Sequence, residues 1–478
     1  MDASTRESAP PLYQELADKI ARLIEQGVLR PGERVSSLRK VSLQYGVSLT
    51  TTIQAFLQLE DRGLVEARPK SGFFVRPRLN PSALRPAKLR RAPTAVTVGA
   101  LQSRLFEAAM LPQMMPFGGA VPAVEMLPME KLNRLLAQVA RRAGSRGVSY
   151  DMPPGSETLR REIVKRAMHA GATLLPEEII TTCGGTEALL LCLRAVAPRG
   201  SVVAVESPSY FGMLHTLEEL GVKVVEIPTD PQTGLDLRAL EKILKTRTLA
   251  ACLAVPTFSN PLGSLMPDEN KRRLVQMLAQ REIPLIEDDV FGELHHGLQR
   301  PRLAKTFDEK GLVMLCSSFS KSLAPGYRVG WVAPGRFYER VKTLKLTTSL
   351  ATATLPELAI AEFLANGGYD HYLRGVRAKY ALNVKRMRET ILACFPAGTQ
   401  VTNPQGGFVL WVEMPDAVDA LVLHERALAH DISIAPGPMF SPHQGYRHCI
   451  RVSCGMPWGP KVQTALHTLG RLAHSASS

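Results

Sequence analysis

The sequence predicts a small α+β domain at the N-terminal end, followed by a large α/β domain with a mainly parallel sheet. Residues 1–77 contain three helical periodicities and then two short strands. From about residue 100, short apolar strands alternate with helices, which is the pattern of a parallel sheet covered by helices. The predicted domains are 1–77, a proline-rich basic linker at 78–100, a large domain at 101–345 and a smaller C-terminal α+β domain at 346–478.

The composition is that of an ordinary globular protein. Of the 478 residues, 45% are apolar and 21% are charged. No apolar run reaches the roughly 18 residues that a membrane crossing needs, and the first residues lack the apolar core of a secretory signal. The seven cysteines show neither a CxxC pair nor a zinc spacing, which indicates reduced thiols. We therefore expect a cytoplasmic protein with no metal site.

The net charge of +14 is unevenly distributed along the chain. Residues 1–94 carry 16 Lys and Arg against 9 Asp and Glu, an excess of +7. The remaining 384 residues carry 42 against 35, which is again +7. Half of the excess therefore lies in about a fifth of the chain, and this indicates a polyanionic partner for the N-terminal domain.

The order of elements in the N-terminal domain predicts a winged helix-turn-helix. Apolar residues recur at helical spacing from Leu12 to Ile24, and that helix should end near Gly27. A short helix (about 37–45) and a longer one (about 49–62) follow on either side of a turn at Gly46. Strands at 64–67 and 72–75 then flank the turn PKSG and form the wing.

This domain resembles the GntR-type DNA-binding domain over about residues 11–77, through VSLTTTIQAF, RGLVEARPKSGFFV and an arginine in the second helix. Hydroxyls at a helix start and a basic wing suit phosphate oxygens. The alternative is a small helical interaction module with a basic face. The resemblance implies that the residues facing DNA are Arg39, Ser48, Thr50, Thr51, Arg68, Lys70 and Gly72.

The domain departs from that family at a few positions. Leu49 stands where the family often has arginine, and Ile53 replaces another polar residue. Ser36 stands where proline is usual. Because an aliphatic side chain cannot hold a phosphate, we expect the anchoring on the DNA backbone to be weaker.

In the large domain, the stretch SSFSKSLAPGYRVGW at residues 317–331 surrounds Lys321 with serines and places Arg328 seven residues later. Schiff-base chemistry needs a lysine held near an aldehyde with a lowered pKa, and serine hydroxyls with a guanidinium can bind a phosphate beside it. The alternative for this stretch alone is an ordinary loop lysine. The segment resembles the Ser-x-x-Lys…Arg segment of fold-type I pyridoxal-phosphate enzymes, the aspartate aminotransferase superfamily.

The other candidate residues stand where predicted strands end, and such junctions gather ligands in α/β sheets. Gly185 and Thr186 open a helix whose free N–H groups suit an anion, Tyr210 can stack on a ring, and Asn260 can donate from its amide. The alternatives are a plain strand-to-helix turn at Gly185 and a core position for Tyr210. The resemblance implies that pyridoxal 5'-phosphate forms an aldimine with Lys321, and that Asp288 partners its ring nitrogen. It also implies that Tyr150 reaches the phosphate of the other subunit and that Arg451 binds a substrate carboxylate. The implied cofactor-binding set is Gly185, Thr186, Tyr210, Asn260, Asp288, Ser318, Ser320, Lys321, Arg328 and Tyr150.

Neighbouring residues qualify this interpretation. Phe291 stands where the aminotransferase pattern has a tyrosine, so it cannot donate a hydrogen bond to the cofactor. Glu287 and Asp289 are expected at the surface or behind Asp288. His295 and His296 have no third ligand in sequence and are interpreted as a solvated loop pair.

A winged helix joined to an aminotransferase-like domain resembles the MocR-type regulators, the pyridoxal-phosphate-dependent branch of the GntR family. The resemblance implies a homodimeric transcriptional regulator that binds double-stranded DNA and responds to pyridoxal phosphate or to an amino-acid or amine effector. It also implies that the winged helix of one chain lies over the large domain of the other. The alternative is an active aminotransferase that uses an α-amino acid and 2-oxoglutarate and carries an accessory DNA-binding module. Residual or half transamination is compatible with either.

Overall fold

A computed structural model of the chain describes residues 11–26, 28, 29, 32–68, 71–75, 111 and 113–476. The chain divides into two units, Met1–Ser82 and Ala83–Ser478. The linker predicted at 78–100 and the DNA-binding candidate Lys70 lie outside the described residues. Among the helices that are described, none combines the length and the apolar composition needed to cross a membrane.

The first unit is a three-helix bundle with a two-stranded wing. Its elements are α1 (Leu12–Glu25), α2 (Leu38–Tyr45), α3 (Leu49–Asp61), β1 (Val65–Arg68) and β2 (Gly72–Val75). The two strands pair antiparallel with Val65 opposite Val75, and both of these valines are buried. Ala55, Phe56 and Leu59 on the inner face of α3 complete the core with the apolar side of α1.

Local chemistry explains where these helices begin and end. The Ser37 hydroxyl accepts from the backbone N–H of Lys40 at 3.4 Å and caps α2. Gly46 ends the same helix in the left-handed conformation, with φ of +66°. The Ser48 hydroxyl accepts from the N–H of Thr51 at 3.0 Å and caps α3. The predicted winged helix-turn-helix is confirmed, with its elements close to the expected bounds.

The second unit is built on one large mixed sheet. Its strands are β4 (Ile180–Thr182), β5 (Val202–Ser207), β6 (Lys223–Asp230), β7 (Gly234–Leu235), β8 (Ala251–Ala254), β9 (Leu285–Asp288), β10 (Val313–Ser318) and β11 (Gly330–Ala333). Their order across the sheet is β4, β11, β10, β9, β8, β5, β6, β7. Strands β6, β5, β8, β9 and β10 run parallel, and β11 and β7 run antiparallel to their neighbours.

Helices cover both faces of this sheet, so its central strands are buried apolar runs. The helices of this unit are α4 (Met129–Ala143), α5 (Glu157–His169), α6 (Gly185–Val196), α7 (Phe211–Glu219), α8 (Leu237–Thr246), α9 (Asp268–Ala279), α10 (Tyr338–Thr348), α11 (Thr354–Ala365), α12 (Gly368–Cys394), α13 (Ala420–Leu428) and α14 (Pro460–Ser475). The predicted α/β fold with a mainly parallel sheet is confirmed.

A smaller α+β part lies at the C-terminal end of the unit. Its sheet contains β12 (Gln400–Val401), β13 (Val409–Glu413), β15 (Ala435–Pro436) and β16 (Cys449–Ser453). A separate pair joins β14 (Ile432–Ser433) to β3 (Met115–Pro116), which comes from the start of the described part of this unit. This pairing holds the N-terminal stretch of the unit against its C-terminal part.

Candidate functional site

The central strands of the second unit end at one edge of the sheet and form a cavity there. Because β5, β8, β9 and β10 run parallel, the loops that follow them meet at this edge. Nine of the ten residues predicted to bind the cofactor line the cavity, namely Gly185, Thr186, Tyr210, Asn260, Asp288, Ser318, Ser320, Lys321 and Arg328.

Lys321 follows β10, and its amine faces this cavity. Its Nζ donates a hydrogen bond to the backbone oxygen of Ala120 at 2.6 Å. Burial, and then the positive charge of Arg451, lowers the pKa of Lys321 to about 8. A much larger fraction of this amine is therefore unprotonated near neutral pH than of an ordinary lysine, and the unprotonated amine is the form that attacks a carbonyl carbon.

In the same cavity, backbone and side-chain donors form a cradle for an anion. Helix α6 begins at Gly185, so its free N–H groups and its dipole point into the cavity. The Arg328 guanidinium donates to the Ser320 hydroxyl at 3.4 Å and to the backbone oxygen of Cys183 at 3.1 Å. Gly184 has a φ of +83°, and a Cβ at this position would collide with that guanidinium. A hydroxyl-rich turn, a helix start and a cation thus converge.

Asp288 ends β9 on the floor of the cavity and is 8% exposed. Its Oδ1 has no hydrogen-bond partner among the described residues. Burial, and then the neighbouring Asp289, raises the pKa of Asp288 to about 7. A cationic group of a ligand beside Oδ1 would supply the missing partner and restore the charged carboxylate.

Two aromatic rings complete the walls of the cavity. Tyr210 stands at the start of α7, and burial raises the pKa of its hydroxyl. Phe291 is buried and packs edge-to-face on Phe408, with ring centroids 5.3 Å apart. This position therefore offers an apolar wall where a tyrosine would offer a hydroxyl.

Arg451 on β16 is fully buried beside the cavity. Its Nη1 donates to the side-chain oxygen of Asn260 at 3.1 Å, and its Nη2 donates to the backbone oxygen of Gly118. The guanidinium lies over the rings of Phe211 and Phe440 at 5.5 and 5.4 Å. Burial lowers the pKa of Arg451 to about 10. The arginine therefore stays charged at neutral pH in a largely apolar setting.

A short stretch of backbone, residues 117–121, contacts both Lys321 and Arg451. We call it the strap. The backbone oxygen of Gly118 accepts from Arg451, and that of Ala120 accepts from Lys321. The strap is held by the N–H of Ser453, which donates to the backbone oxygen of Phe117 at 2.8 Å. Sequence reasoning missed the strap because backbone acceptors leave no side-chain pattern, although the adjacent glycines in FGGAVP mark a turn.

The acids beside Asp288 are structural. Of the two places predicted for them, the surface is wrong, and the position behind Asp288 is the one that the structure shows. Glu287 is fully buried and accepts from the N–H groups of Ala304 and Lys305 at 2.7 and 2.8 Å, where a short 3₁₀ helix begins. Asp289 is also buried and pairs with Arg300 at 2.5 Å. The clustering of acids at the end of β9 thus has one role for each carboxylate.

The interpretation of the two histidines as a solvated loop pair is also wrong. His295 is 5% exposed, and its Nδ1 lies 2.7 Å from the backbone oxygen of Gly297. His296 is half-buried, and its Nε2 lies 2.9 Å from the backbone oxygen of Gly407. Both rings therefore tie their loop to neighbouring backbone.

Tyr150, the tenth cofactor candidate, does not line the cavity of its own chain. Its side chain is 75% exposed. It lies just after the 3₁₀ turn Gly144–Val148. Its predicted role at the phosphate of another subunit stays a prediction.

In the first unit, most of the predicted DNA-binding residues that are described lie at the surface. Arg39 is exposed on α2, Ser48 and Thr50 are exposed at the start of α3, and Thr51 is half-buried with its hydroxyl 2.8 Å from that of Ser48. Gly72 on the wing has a φ of +92°. Each of these groups can meet a phosphate without rearrangement of the core.

Arg68 on the wing is partly committed to its own strands. Its Nε donates to the Glu66 carboxylate at 2.8 Å, and its guanidinium lies 4.3 Å from the centre of the Phe74 ring. It is exposed, so the guanidinium can still reach a phosphate, but it must share its donors with Glu66.

Comparisons with known families match both units. The family of bacterial regulatory proteins of the gntR type matches residues 12–75. The family of class I and II aminotransferases matches residues 126–460. The first match covers the winged helix, and the second covers the large sheet and most of the smaller C-terminal part.

Individual relatives show the same division. The chain is 37% identical over 460 residues to YdcR of Escherichia coli, named an uncharacterized HTH-type transcriptional regulator, covering 96% of this chain and 98% of that protein. It is 30% identical over 371 residues to the 2-aminoadipate transaminase of Thermus thermophilus, covering 77% of this chain and 92% of that protein. The crystal structure of LysN, an alpha-aminoadipate aminotransferase of Thermus thermophilus complexed with N-(5'-phosphopyridoxyl)-L-leucine, superposes with a TM-score of 0.73 and 29% identity, covering 79% of this chain and 96% of that chain.

Proposed function

Because this chain belongs to the class I and II aminotransferase family and carries a gntR-type domain at residues 12–75, we propose that it is a pyridoxal-phosphate-dependent transcriptional regulator. The winged helix binds double-stranded DNA, and the cavity of the second unit holds the cofactor and an amino-acid or amine effector. The MocR-type architecture predicted from the sequence is the same combination of domains. We also propose that it acts in the cytoplasm, where its DNA partner is found.

The residues of the cavity fit pyridoxal 5'-phosphate. When bound, this cofactor supplies an aldehyde that bonds to amines and a ring that withdraws electrons. The start of α6, with Ser318, Ser320 and Arg328, would hold the phosphate. The unpartnered Oδ1 of Asp288 would face the ring nitrogen, and the Lys321 amine would bond to the aldehyde carbon.

The effector is proposed to bind between Lys321 and Arg451. A guanidinium that stays charged in an apolar setting suits a carboxylate, and it can bind one through two parallel hydrogen bonds. The strap now supplies one backbone acceptor to each of these cations. An α-amino acid would therefore exchange with the strap at Arg451, and this exchange gives the protein two states that a ligand can shift.

Regulation is favoured over turnover by the wall at Phe291. A tyrosine hydroxyl at this position would donate to the cofactor and help to set the pKa values that proton transfer needs, whereas the phenyl ring packs on Phe408. Binding of the cofactor does not depend on that hydroxyl. The site is therefore proposed to bind and release ligands, with transamination slow or limited to one half-reaction.

We propose that the active form is a homodimer. Tyr150 is 75% exposed and does not line the cavity of its own chain, although the family pattern assigns it to the phosphate of a neighbouring subunit. A second copy of the chain would bring this hydroxyl to the cradle. Two winged helices would then be available for two half-sites on the duplex.

The observation that carries the proposal is that one chain holds both an exposed basic winged helix and a half-buried lysine, Lys321, that lines a cavity together with an anion cradle. The test begins with selection of specific sites from a random duplex library by the full-length protein. The affinity for the selected site is then measured for the cofactor-free form, the form with pyridoxal phosphate, and that form with each of a panel of amino acids. We expect at least one of these additions to change the affinity about fivefold or more.

Lys321→Ala is the matched variant, and Lys385→Ala on the exposed side of α12 is its control. Lys321→Ala should lose the borohydride-reducible link to pyridoxal phosphate and the response of DNA affinity to ligands, while Lys385→Ala keeps both. Equal affinity of all ligand states for the selected site would overturn the regulatory proposal. Rapid multiple turnover with 2-oxoglutarate, without sequence-specific DNA binding, would establish the aminotransferase instead.

A further inference from the structure

The exposed face of α3 carries an aliphatic stripe. Leu49, Ile53 and Leu57 follow one another at four-residue spacing and are 43%, 41% and 52% exposed. The core side of the same helix is filled by other residues, Ala55, Phe56 and Leu59, which are fully buried. The stripe is therefore not a part of the core that reaches the surface, and its side chains stand in water within this unit.

The surroundings of the stripe indicate a polyanionic partner. Leu49 follows the capping Ser48 directly, and Thr50 is exposed beside it. Arg39 and Lys40 are exposed on the preceding helix. The first turn of α3, Leu-Thr-Thr-Thr, carries no acid. Hydroxyls, cations and a helix start around an apolar strip match the phosphates that border a DNA groove better than they match an apolar protein surface.

Duplex DNA offers one strongly apolar group in its major groove, the C5-methyl of thymine. In a helix-turn-helix the first residues of the second helix reach the base edges, and Leu49 and Ile53 occupy the first two turns of α3. An arginine there would bind phosphate or guanine through hydrogen bonds, which leucine and isoleucine cannot form. Contact with a methyl group leaves no hydrogen bond of the DNA bases unmade, so it is the contact in the groove that suits aliphatic side chains best.

We propose that Leu49 and Ile53 read thymine methyl groups, so that the preferred DNA sites carry thymines where the first two turns of α3 enter the major groove. This inference rests on the proposed DNA-binding function. It assigns sequence preference to the two residues that depart from the family pattern. Each methyl group buried by these side chains contributes about a fourfold gain in affinity.

The test uses a base pair that differs only by the methyl group. A site is selected from a random duplex library, and it is then synthesised with deoxyuridine in place of each thymine in turn, which leaves pairing and hydrogen-bonding edges unchanged. The wild-type protein should lose about fourfold at each of two positions and about 15-fold when both are replaced. Leu49→Ala and Ile53→Ala should each bind the thymine site more weakly and lose the discrimination at one position.

Leu57→Ala is the matched control, because Leu57 lies on the same face of α3 but one turn further from its start. It should keep the full difference between thymine and deoxyuridine. All three side chains are exposed, so thermal unfolding should be unchanged.

The outcomes separate the two proposals. Selection of no specific site overturns the DNA-binding function itself. A specific site bound equally with thymine and deoxyuridine overturns the methyl readout and leaves the function standing. A deoxyuridine effect that persists in both alanine variants assigns it to DNA shape and also overturns the readout. Alanine variants with unchanged DNA affinity but a smaller sedimenting mass would make the stripe a contact between copies of the chain.

Discussion

The cavity of the second unit and the exposed face of the winged helix are built in opposite ways. In the cavity, groups that prefer water are withdrawn from it, since Asp288 is 8% exposed and Arg451 is fully buried. On α3, groups that avoid water remain in it, since Leu49 and Ile53 are more than two-fifths exposed, at 43% and 41%. Each region thus presents side chains that lack the surroundings they prefer, and a ligand can supply those surroundings.

The difference shows which physical effect should govern ligand binding in each region. Desolvation in the cavity raises the pKa of Asp288 and lowers that of Lys321, so binding and reactivity there should depend on pH and on single charges. The cations of the winged helix are exposed. At about 0.1 M salt, the interaction between exposed charges is largely screened once they are more than about 10 Å apart. The affinity of the winged helix for DNA should therefore depend on the salt concentration and on the apolar area of α3 that the DNA covers.

The largest effect expected from this contrast concerns two adjacent carboxylates. Asp288→Asn should weaken the binding of pyridoxal phosphate roughly 100-fold, because a neutral amide cannot balance the charge of a protonated ring nitrogen, while unfolding stability changes little. Asp289→Asn should lower the free energy of unfolding by about 3 kcal/mol, because it leaves Arg300 buried with one carboxylate fewer. Cofactor titration and urea unfolding of both variants measure the two quantities. Equal losses of cofactor affinity in both would contradict the separate roles.

A medium effect is expected from pH. The unprotonated Lys321 amine is the reactive form, and its pKa of about 8 means that its fraction rises about tenfold between pH 7 and pH 9 and then levels off. The rate at which the cofactor-free protein captures pyridoxal phosphate should follow that curve. An ordinary lysine would continue to gain up to about pH 10.4.

Two variants sharpen this prediction by moving the midpoint in opposite directions. Arg451→Met removes a positive charge that lowers the pKa of Lys321, so the midpoint should rise. Asp288→Asn removes a negative charge that raises it, so the midpoint should fall. Stopped-flow absorbance across pH 6–11 provides the rates. A midpoint that stays fixed in both variants would show that burial alone sets the pKa.

The smallest effect is expected at the exposed face. Arg39→Ala should weaken DNA binding several-fold at low salt, uniformly across sequences, and should reduce the slope of log affinity against log salt by about one. Lys19→Ala on the exposed side of α1 is the control and should leave both unchanged. A loss confined to one sequence would assign Arg39 to a base edge instead.

Much of the architecture could be predicted because local chemistry fixes it. Ser37, Gly46 and Ser48 mark helix ends through capping and a left-handed turn, and the structure has helix bounds at those points. The cavity could be predicted because parallel strands end at one edge, which brings Lys321 and Asp288 together although they are 33 positions apart in the chain.

The buried hydrogen bonds could not be predicted, because they depend on which groups from distant parts of the chain lie next to one another in the interior. The burial of Glu287 depends on the backbone N–H groups of Ala304 and Lys305, which no pattern around Glu287 reveals. The two histidines bond to backbone oxygens, one of them on the distant Gly407. The strap acts through carbonyl groups, and these are the same in every sequence.

The strap affects how candidate effectors should be ranked by their measured affinity. Its carbonyl oxygens are tethered beside Lys321 and Arg451, so they would compete with the proposed effector at a high effective concentration. The dissociation constant measured for such an effector would be the intrinsic constant divided by the fraction of molecules in which the strap no longer bonds to Arg451. A natural effector can therefore look weak in a binding assay. It would be recognised better by how far its binding opens the chain near Ala120, followed by hydrogen exchange, than by how tightly it is held.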